Sequence, residues 1–455
     1  MKLSSFQCLS PVDGSVYLER ALAGPAELEK ALARAREAQR EWRGLNLEQR
    51  VEQLRQLVER LMAGSEELAR ELSWQMGRPV SQAPGELRGF AHRARTMLEL
   101  APSALEPIRL DELRRVQRDP LGVVLTVAAW NYPYLIAVNS VVPALAAGNA
   151  VLLKHSAQTP LCAERLVEAG AGCLPEGLFA CLHMDHDLTA RAVAEVDFVC
   201  FTGSVEGGRS VQRAASERFI GLGLELGGKD PAYVRADADL EHALENLVDG
   251  SFYNSGQSCC GIERIYVHQS LYEQFVEGFV ERAYAYKLGN PLESSTNLGP
   301  VVKASAARAI QAQVDRALAR GARALIDSTR FPAAAGLYMA PQVLVDVDHS
   351  MDVMTEETFG PVVGIMAVKD DEEAVRLMND SRYGLTASIW TRDLQVADRL
   401  GAQVETGTLF ANRCDYLDPE LAWTGIKDSG RGCTLSRVGY EQLTRPKSFH
   451  YRTVS

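Results

Sequence analysis

The fold is indicated most clearly by residues 121–154, LGVVLTVAAWNYPYLIAVNSVVPALAAGNAVLLK. A short apolar run, LGVVLTVAA, precedes a longer stretch, LIAVNSVVPALAAG, and a second short run, NAVLLK, follows it. Short apolar runs that alternate with helical stretches are typical of a parallel sheet with helices on both faces. The stretch therefore predicts an α/β fold.

The same alternation extends along most of the chain. Further predicted strands are GLFACL (177–182), DFVCFTG (197–203), LGLEL (222–226) and RIYVH (264–268). Predicted helices cover residues 206–215, 239–252 and 271–286, and Thr159-Pro160 is typical of a helix N-cap followed by proline at the first position. Near the N-terminus, residues 25–76 have helical periodicity that Gly44 and Gly64 interrupt, which predicts two or three helices.

Two segments lie outside this pattern. Residues 102–120 are polar and flanked by prolines, and we interpret them as an arm or hairpin outside the main core. The tail, LTRPKSFHYRTVS, is β-like and predicts an edge strand. That strand pairs either with another subunit or with its own chain, and the sequence favours neither.

Composition narrows the class of protein. The chain has 455 residues, enough for about three domains, and its 46% hydrophobic and 24% charged residues are typical of a soluble globular protein. A net charge of −11 argues against binding to nucleic acid or to a membrane surface. Nine scattered cysteines favour a reducing compartment, and neither a signal peptide nor an unbroken apolar span is found. We therefore expect a cytoplasmic enzyme.

A pair of cysteines is the first candidate for chemistry. Gly256-Gln257-Ser258-Cys259-Cys260 lies between a predicted helix and the strand RIYVH, on a turn where a scaffold holds reactive side chains. A thiolate there is a candidate nucleophile, although two small buried apolar side chains would look the same in sequence. A metal site is not predicted, because adjacent cysteines lack the usual ligand spacing and no histidine follows at zinc spacing.

Three further motifs lie at predicted strand ends, where ligands bind in open α/β sheets. Glu225 precedes a glycine pair and is either a general base or a turn carboxylate paired with Lys229. Asn131 is either a donor to an oxyanion or an ordinary turn asparagine. Residues 201–208, FTGSVEGG, are either a phosphate site at a helix N-terminus or a simple strand-to-helix turn.

The order and spacing of these motifs resemble the aldehyde dehydrogenase superfamily, whose members oxidise aldehydes to acids with NAD(P). Glu225 and Cys259 are 34 positions apart, which matches that family. The other similar motifs are WNYP (130–133), AAGNAVLLK (146–154), FTGS (201–204), ELGGK (225–229), GQSC (256–259), EETFGP (356–361) and TGIKDSGRG (424–432). The resemblance extends from about residue 25 to the C-terminus.

The resemblance implies specific roles. Cys259 would be the nucleophile, Asn131 and the backbone N–H of Cys259 the oxyanion hole, and Glu225 the base that activates water. The implied cofactor residues, for NAD or NADP, are Trp130, Lys154, Gly203, Ser204, Gly208, Glu357 and Phe359. The implied substrate-pocket residues are Tyr132, Tyr253, Ser258 and Arg413.

The resemblance also implies a domain arrangement. A Rossmann-like cofactor domain would comprise residues 1–101 and 121–226, and an α/β catalytic domain residues 227–439. Residues 102–120 and 440–455 would form a small β oligomerisation arm, which favours a homodimer or homotetramer.

Some residues depart from the family pattern. Ala157 stands where many NAD-preferring members have a glutamate, so we expect NADP to be accepted. Trp423, Thr424 and Cys433 alter the late motif, which affects subunit packing or loop shape. The alternatives for function are a succinate-semialdehyde-type enzyme, with Arg413 on the substrate carboxylate, a CoA-acylating enzyme, and a non-catalytic relative. Retention of Glu225 argues against the CoA-acylating enzyme.

Overall fold

Two open, mostly parallel sheets form the frame of the protein in the computed structural model, which describes residues 4–333 and 335–454. Its helices are α1 Pro25–Trp42, α2 Leu47–Ala63, α3 Ser65–Met76, α4 Ala83–Leu105, α5 Pro133–Ala146, α6 Pro160–Gly170, α7 His186–Glu195, α8 Val205–Ala215, α9 Leu240–Phe252, α10 Tyr272–Tyr284, α11 Ala304–Ala319, α12 Asp352–Thr355, α13 Asp371–Asn379 and α14 Leu394–Gly401. Its strands are β1 Ser5–Leu9, β2 Val16–Ala21, β3 Ile108–Arg109, β4 Arg114–Pro120, β5 Val123–Ala128, β6 Ala150–His155, β7 Phe179–Cys181, β8 Phe198–Thr202, β9 Gly221–Glu225, β10 Asp230–Val234, β11 Ile262–His268, β12 Arg323–Ala324, β13 Gln342–Val345, β14 Val362–Val368, β15 Tyr383–Gly384, β16 Thr386–Trp390, β17 Thr408–Ala411, β18 Ile426–Lys427, β19 Gly430–Arg431 and β20 Thr444–His450.

The first sheet has the strand order of a dinucleotide-binding domain. Its order is β19-β9-β8-β5-β6-β7, and the five strands β5–β9 are parallel. If β5 to β9 are numbered 1 to 5, their order from the β7 edge to the β9 edge is 3-2-1-4-5. The connections therefore change direction between β5 and β8. Ligands of such sheets bind in the crevice beyond the carboxyl ends of those two strands. The predicted α/β fold is confirmed.

The second sheet has the order β12-β13-β14-β11-β10-β16-β17, and all of its strands except β12 are parallel. Successive side chains of a strand point to opposite faces, and β10 follows this rule. Ala232 and Val234 pack into one hydrophobic cluster, whereas Tyr233 between them packs into the cluster on the other face. Both faces of this sheet are therefore buried, as expected for a parallel sheet.

A short connection joins the two sheets. Only residues 226–229 separate the end of β9 from the start of β10, and such a segment spans at most about 14 Å. The carboxyl edge of the first sheet therefore faces the amino edge of the second across a narrow cleft. Residues that follow β5, β8 and β9 meet there with residues that precede β11.

The helices agree with the sequence predictions in most details. Residues 25–76 form α1, α2 and α3, and the observed α8, α9 and α10 begin and end within two residues of the predicted bounds. Thr159 is at the N-cap of α6 and Pro160 is its first residue. The Thr159 hydroxyl, however, bonds to Nδ1 of His155 at 3.1 Å instead of capping a backbone N–H.

The predicted arm is a three-stranded antiparallel sheet, β20-β4-β3. The tail strand β20 pairs with β4 of the same chain over its whole length, Thr444–His450. Residues 102–105, which we assigned to the arm, instead form the last turn of α4, with Pro102 inside the helix. The predicted segments 1–101 and 440–455 include residues 1–3 and 455, which lie outside the described residues.

The late motif contacts the first sheet, although the predicted boundary at residue 439 groups it with the second. β19 pairs antiparallel with β9, with Gly430 opposite Glu225. Trp423, Leu435 and Tyr440 pack into the hydrophobic core beneath the first sheet. The chain thus returns from the second sheet to the first, because β9 has a free edge that β19 covers. In the described part of the chain, no helix is long and apolar enough to cross a membrane.

Candidate active site

The loop that carries the cysteines has an unusual backbone. Between α9 and β11, Asn254, Ser255 and Gly256 all adopt left-handed conformations, with φ of 52°, 58° and 69°. A Cβ at Gly256 would overlap the carbonyl oxygen of Gly360, so a side chain is excluded at this position. Left-handed conformations of Asn and Ser are strained, and they persist only where the surroundings enforce them.

Buried hydrogen bonds hold this loop in place. The Ser255 hydroxyl donates to the Gly299 carbonyl at 2.8 Å, and the Gln257 side-chain oxygen accepts from the backbone N–H of Val302, also at 2.8 Å. The Asn254 amide donates to the Gln257 carbonyl at 3.2 Å. These bonds orient the following residues, 258–260, toward the cleft between the sheets.

The two adjacent cysteines have different environments. Cys260 is buried and its thiol donates to Oδ1 of Asp415 at 3.1 Å, while Ser258 donates to the same oxygen at 2.8 Å. The contact with Cys259 and burial together raise the pKa of Cys260 well above its usual range. Cys259 is only partly buried and lines the cleft. Of the two thiols, Cys259 is therefore the one available to a substrate.

Asn131 lies beside this loop. It follows β5, is buried, and its Nδ2 donates to the Gln257 carbonyl at 3.2 Å. The backbone carbonyl of Asn131 accepts from Nδ2 of Asn254, also at 3.2 Å, and from the Arg78 guanidinium. The amide is therefore held next to the nucleophile loop by bonds on both sides.

Glu225 ends β9 on the opposite side of the cleft. Oε1 accepts from the Thr434 hydroxyl at 2.5 Å and Oε2 from the Thr202 hydroxyl at 3.4 Å. Burial raises the pKa of Glu225, and the two hydroxyls together with the charge of Arg93 oppose that increase. A carboxylate whose pKa is raised toward neutrality is suited to remove a proton from water.

One cavity, of about 350 Å³, connects these groups. The predicted site residues that line it are Asn131, Tyr132, Glu225, Tyr253, Ser258 and Cys259. Arg413 does not line it: this side chain is exposed and its guanidinium lies 3.4 Å from the centre of the Tyr416 ring. The structure therefore brings together the three predicted catalytic residues and three of the four predicted pocket residues.

Sequence reasoning missed several charged residues of the cavity. Arg78 is 1% exposed and forms an ion pair with Glu86, which also accepts from the backbone N–H of Tyr134 at 2.8 Å. Arg93 is 8% exposed, and Asp415 accepts the bonds from the nucleophile loop. One signal was available: Arg93 lies on the apolar face of α4, three residues after buried Phe90, where a helix that packs on a core normally carries an apolar residue.

The predicted phosphate site lies where the first sheet's connections change direction. Ser204 is the N-cap of α8 and its hydroxyl accepts from the backbone N–H of Gly207 at 3.2 Å. The N-terminus of α8 follows directly from β8, and helix N-termini attract phosphate. A Cβ at Gly208 would lie 2.6 Å from the Leu226 side chain, so this glycine allows α8 to pack closely on the domain junction.

The remaining cofactor candidates border the same crevice. Lys154 is the second-last residue of β6, burial lowers the pKa of its ammonium, and it has no ion-pair partner among the described residues. Burial raises the pKa of Glu357 to about 8, and this carboxyl accepts from the N–H of Gly228 at 3.1 Å. The rings of Phe359 and Trp130 meet edge to face at 5.7 Å. An unpaired ammonium, a helix N-terminus, a carboxyl group and an aromatic pair fit a nicotinamide dinucleotide.

No group of three or more histidine, cysteine, aspartate or glutamate side chains that could hold a metal ion is found in the part of the chain that the structure describes.

The two sheets and the cavity at their junction define a two-domain α/β enzyme with a dinucleotide-type crevice. The sequence profile of the Aldehyde dehydrogenase family matches residues 2–449, and the chain belongs to this family. The predicted family and enzyme class, NAD(P)-dependent aldehyde dehydrogenase, are confirmed.

Similar proteins cover almost the whole chain. The succinate semialdehyde dehydrogenase (NAD(P)+) Sad of Escherichia coli is 35% identical over 442 residues, which are 96% of this chain and 95% of that protein. A betaine aldehyde dehydrogenase of Cereibacter sphaeroides is 34% identical over 452 residues, 97% of this chain and 92% of that protein. The crystal structure of NADP-dependent glyceraldehyde-3-phosphate dehydrogenase from Bacillus halodurans, complexed with NADP, is 31% identical with a TM-score of 0.92, and the match covers 98% of this chain and 95% of that one.

Proposed function

We propose that the protein oxidises an aldehyde to the carboxylic acid with NAD(P)+ through a covalent adduct on Cys259, which water activated by Glu225 then hydrolyses. One observation carries this proposal: Asn131, Glu225 and Cys259 line a single cavity. They come from three separate parts of the fold, the loop after β5, the end of β9 and the loop before β11. Such convergence of a thiol, an amide and a carboxylate is what acyl chemistry on a thiol requires.

In the first step, the Cys259 thiolate adds to the aldehyde carbon. The carbonyl oxygen becomes an oxyanion, which accepts hydrogen bonds from Nδ2 of Asn131 and from the backbone N–H of Cys259. Removal of one such donor typically lowers the rate by about 10²–10³-fold. The buried bonds that fix Asn131 to the nucleophile loop keep this donor in place before the substrate arrives.

The dinucleotide would be held in the crevice by the groups described above: Lys154 and the N-terminus of α8 on its adenosine side, and Glu357 with Phe359 near the nicotinamide. When bound, it supplies the hydride acceptor of the oxidation. The acyl group is then left on Cys259 as a thioester.

In the second step, Glu225 removes a proton from a water molecule, which attacks the thioester and releases the acid. The Thr434 and Thr202 hydroxyls orient the carboxylate and keep it ionised, while partial burial keeps it basic. A CoA-acylating enzyme would transfer the acyl group to a thiol instead and would not need this base. Glu225 therefore favours hydrolysis.

Three finer properties are part of the proposal. Ala157 leaves no carboxylate close after Lys154, so a 2′-phosphate would meet an ammonium and no nearby negative charge, and NADP should be accepted alongside NAD. The outer edge of the arm sheet, formed by β20, supports assembly as a homodimer or homotetramer. All nine cysteines are free, which agrees with a cytoplasmic location.

The names of these two relatives indicate that members of the family accept substrates of opposite charge. Succinate semialdehyde carries a carboxylate and betaine aldehyde carries a quaternary ammonium. Membership of the family therefore does not indicate whether this protein's substrate is an anion or a cation. That preference depends on the side chains that line the cavity.

The test is trapping of the acyl-enzyme. The purified protein is mixed with an aldehyde and NAD+ or NADP+, and reduced cofactor, released acid and intact protein mass are followed. Cys259→Ala should abolish cofactor reduction, whereas Cys260→Ser, which keeps a donor to Asp415, should retain turnover. Glu225→Gln should reduce about one cofactor per active site and then stop, with the acyl mass on the protein.

Three results would count against the proposal. Turnover by the Cys259→Ala variant would exclude the covalent mechanism. Sustained acid release by Glu225→Gln at the wild-type rate would exclude that base. Acyl transfer that requires coenzyme A would replace hydrolysis with the CoA-acylating reaction.

A further inference from the structure

Arg93 is a buried cation that forms no ion pair within the part of the chain that the structure describes. It lies on α4 in the wall of the cavity and is 8% exposed. Its Nη1 donates to the Leu135 carbonyl and to Oδ1 of Asn139, each at 3.2 Å. No carboxylate among the described residues forms an ion pair with it. A guanidinium has five N–H donors, so those on Nε and Nη2 are left without an acceptor.

Four carboxylates line the cavity, and three of them are satisfied by other donors, while the fourth, Asp249, forms no ion pair with Arg93. Glu86 is paired with Arg78, and Asp415 accepts from Ser258 and Cys260. Glu225 accepts from two threonine hydroxyls. Buried cations are normally paired, because removal of a charge from water is costly. The described residues therefore leave one edge of the Arg93 guanidinium without an anion, and this edge faces the cavity.

The geometry of the unpaired edge indicates the kind of anion. Because Nη1 is already engaged, the free donors are the neighbouring N–H groups of Nε and Nη2, which lie along one edge of the planar guanidinium. That pair forms the fork that binds the two oxygens of a carboxylate side by side. Leu135, Ile136 and Leu417 add apolar surface to the same cavity, which suits a short methylene chain.

We propose that Arg93 binds the carboxylate of the substrate, and that the preferred substrates are short aldehydes with a carboxylate at the far end. The inference rests on the proposed function, since the aldehyde end must reach Cys259. It replaces the sequence-based expectation for Arg413, which is exposed and stacks on Tyr416. Arg93 is a specificity residue, because it contacts the substrate at the end that does not react.

A different role for Arg93 has to be distinguished. Its charge also favours the ionised form of Glu225, so its loss could slow hydrolysis of every substrate alike. A comparison of two aldehydes of equal length separates the two roles: 4-oxobutanoate carries the carboxylate, and butanal does not. A purely electrostatic or structural role would change kcat/KM for both by the same factor.

The experiment measures kcat/KM for both aldehydes in the wild type and in Arg93→Gln and Arg93→Lys. The matched control is Arg95→Gln, an exposed arginine on the same helix that pairs with Glu59 at 2.7 Å. The wild type should prefer 4-oxobutanoate. Arg93→Gln should lower that preference about 10- to 100-fold, mainly through KM, because a charge-assisted bidentate contact is lost. Arg93→Lys should restore part of it, and Arg95→Gln should behave as the wild type.

A binding measurement covers the case in which Arg93 variants do not fold. Succinate, the acid formed from 4-oxobutanoate, should raise the thermal midpoint of the wild-type protein with bound cofactor more than the uncharged butanamide does. Equal effects of the two compounds, a wild-type preference for butanal, or an equal loss for both aldehydes in Arg93→Gln would overturn the inference. If the protein oxidises neither of these aldehydes nor any other, the proposed function is wrong. If it oxidises butanal but not 4-oxobutanoate, the proposed function stands and only the inference about Arg93 is overturned.

Discussion

Thr434 offers a direct way to test how the base is tuned. Its hydroxyl donates to Oε1 of Glu225 at 2.5 Å, whereas the second donor, Thr202, is at 3.4 Å. Thr434→Val removes the closer donor and nearly conserves the volume of the side chain. A hydrogen bond to a charged group contributes about 1.5–3 kcal/mol, and this one stabilises only the ionised carboxylate.

The sign and size of the effect follow from that contribution. Loss of the hydroxyl raises the pKa of Glu225 in the same direction as burial already does. Below the pKa of the wild-type carboxyl, the free energy corresponds to about 10- to 100-fold less ionised carboxylate in the variant. Hydrolysis of the acyl group on Cys259 should therefore slow by about that factor on the acid side of the pH profile and recover as the pH is raised.

The hydrolytic half of the reaction can be measured without cofactor. p-Nitrophenyl acetate is an activated ester that acylates a reactive thiol directly, and the steady release of nitrophenolate after the first turnover reports hydrolysis. Thr434→Ser keeps the hydroxyl and should have the wild-type pH profile. A Thr434→Val profile that superimposes on that of the wild type, or a loss that high pH does not restore, would refute this account of Glu225.

Other substitutions test the rest of the site. Asn131→Ala should lower kcat for aldehyde oxidation by about 10²–10³-fold with little change in KM for the cofactor, as measured by initial rates. Lys154→Met should raise KM for the cofactor without changing the rate at which iodoacetamide alkylates the protein. Ala157→Glu should lower kcat/KM for NADP more than for NAD, because the new carboxylate would repel a 2′-phosphate. Arg78→Met should destabilise the fold by about 3–5 kcal/mol, since Glu86 would be left buried without its partner, and Arg78→Met combined with Glu86→Leu should recover part of the lost thermal midpoint.

The sequence was informative wherever function depends on a local turn. The motif around Cys259 was predicted to follow a helix over residues 239–252, and α9 does end at Phe252, just before the three left-handed residues. Asn131 and Glu225 were predicted at strand ends, where β5 and β9 place them. These motifs can be recognised because their residue types are required by the backbone of the turn itself.

The errors concern packing between distant segments. The late motif was assigned to the second domain, yet β19 covers the edge of β9 and Thr434 bonds to Glu225. Arg413 was expected in the pocket and is exposed, while Arg93, three residues after Phe90 on an apolar helix face, is buried there. Helical periodicity shows that a face is buried but not what it faces, and α4 faces the cavity as well as the core.

By itself, the sequence determined the parallel α/β architecture, which follows from local periodicity, and the order of amide, carboxylate and thiol along the chain, whose motifs carry the resemblance to the family. Tertiary structure alone decided which charges meet in the cavity. Thr434 and Glu225 are 209 positions apart, and Arg78 and Asn254 are 176 apart. Such pairs form only when the two sheets and the returning late segment pack together. Burial in that packing raises the pKa of Glu225 and leaves Arg93 without an ion-pair partner among the described residues.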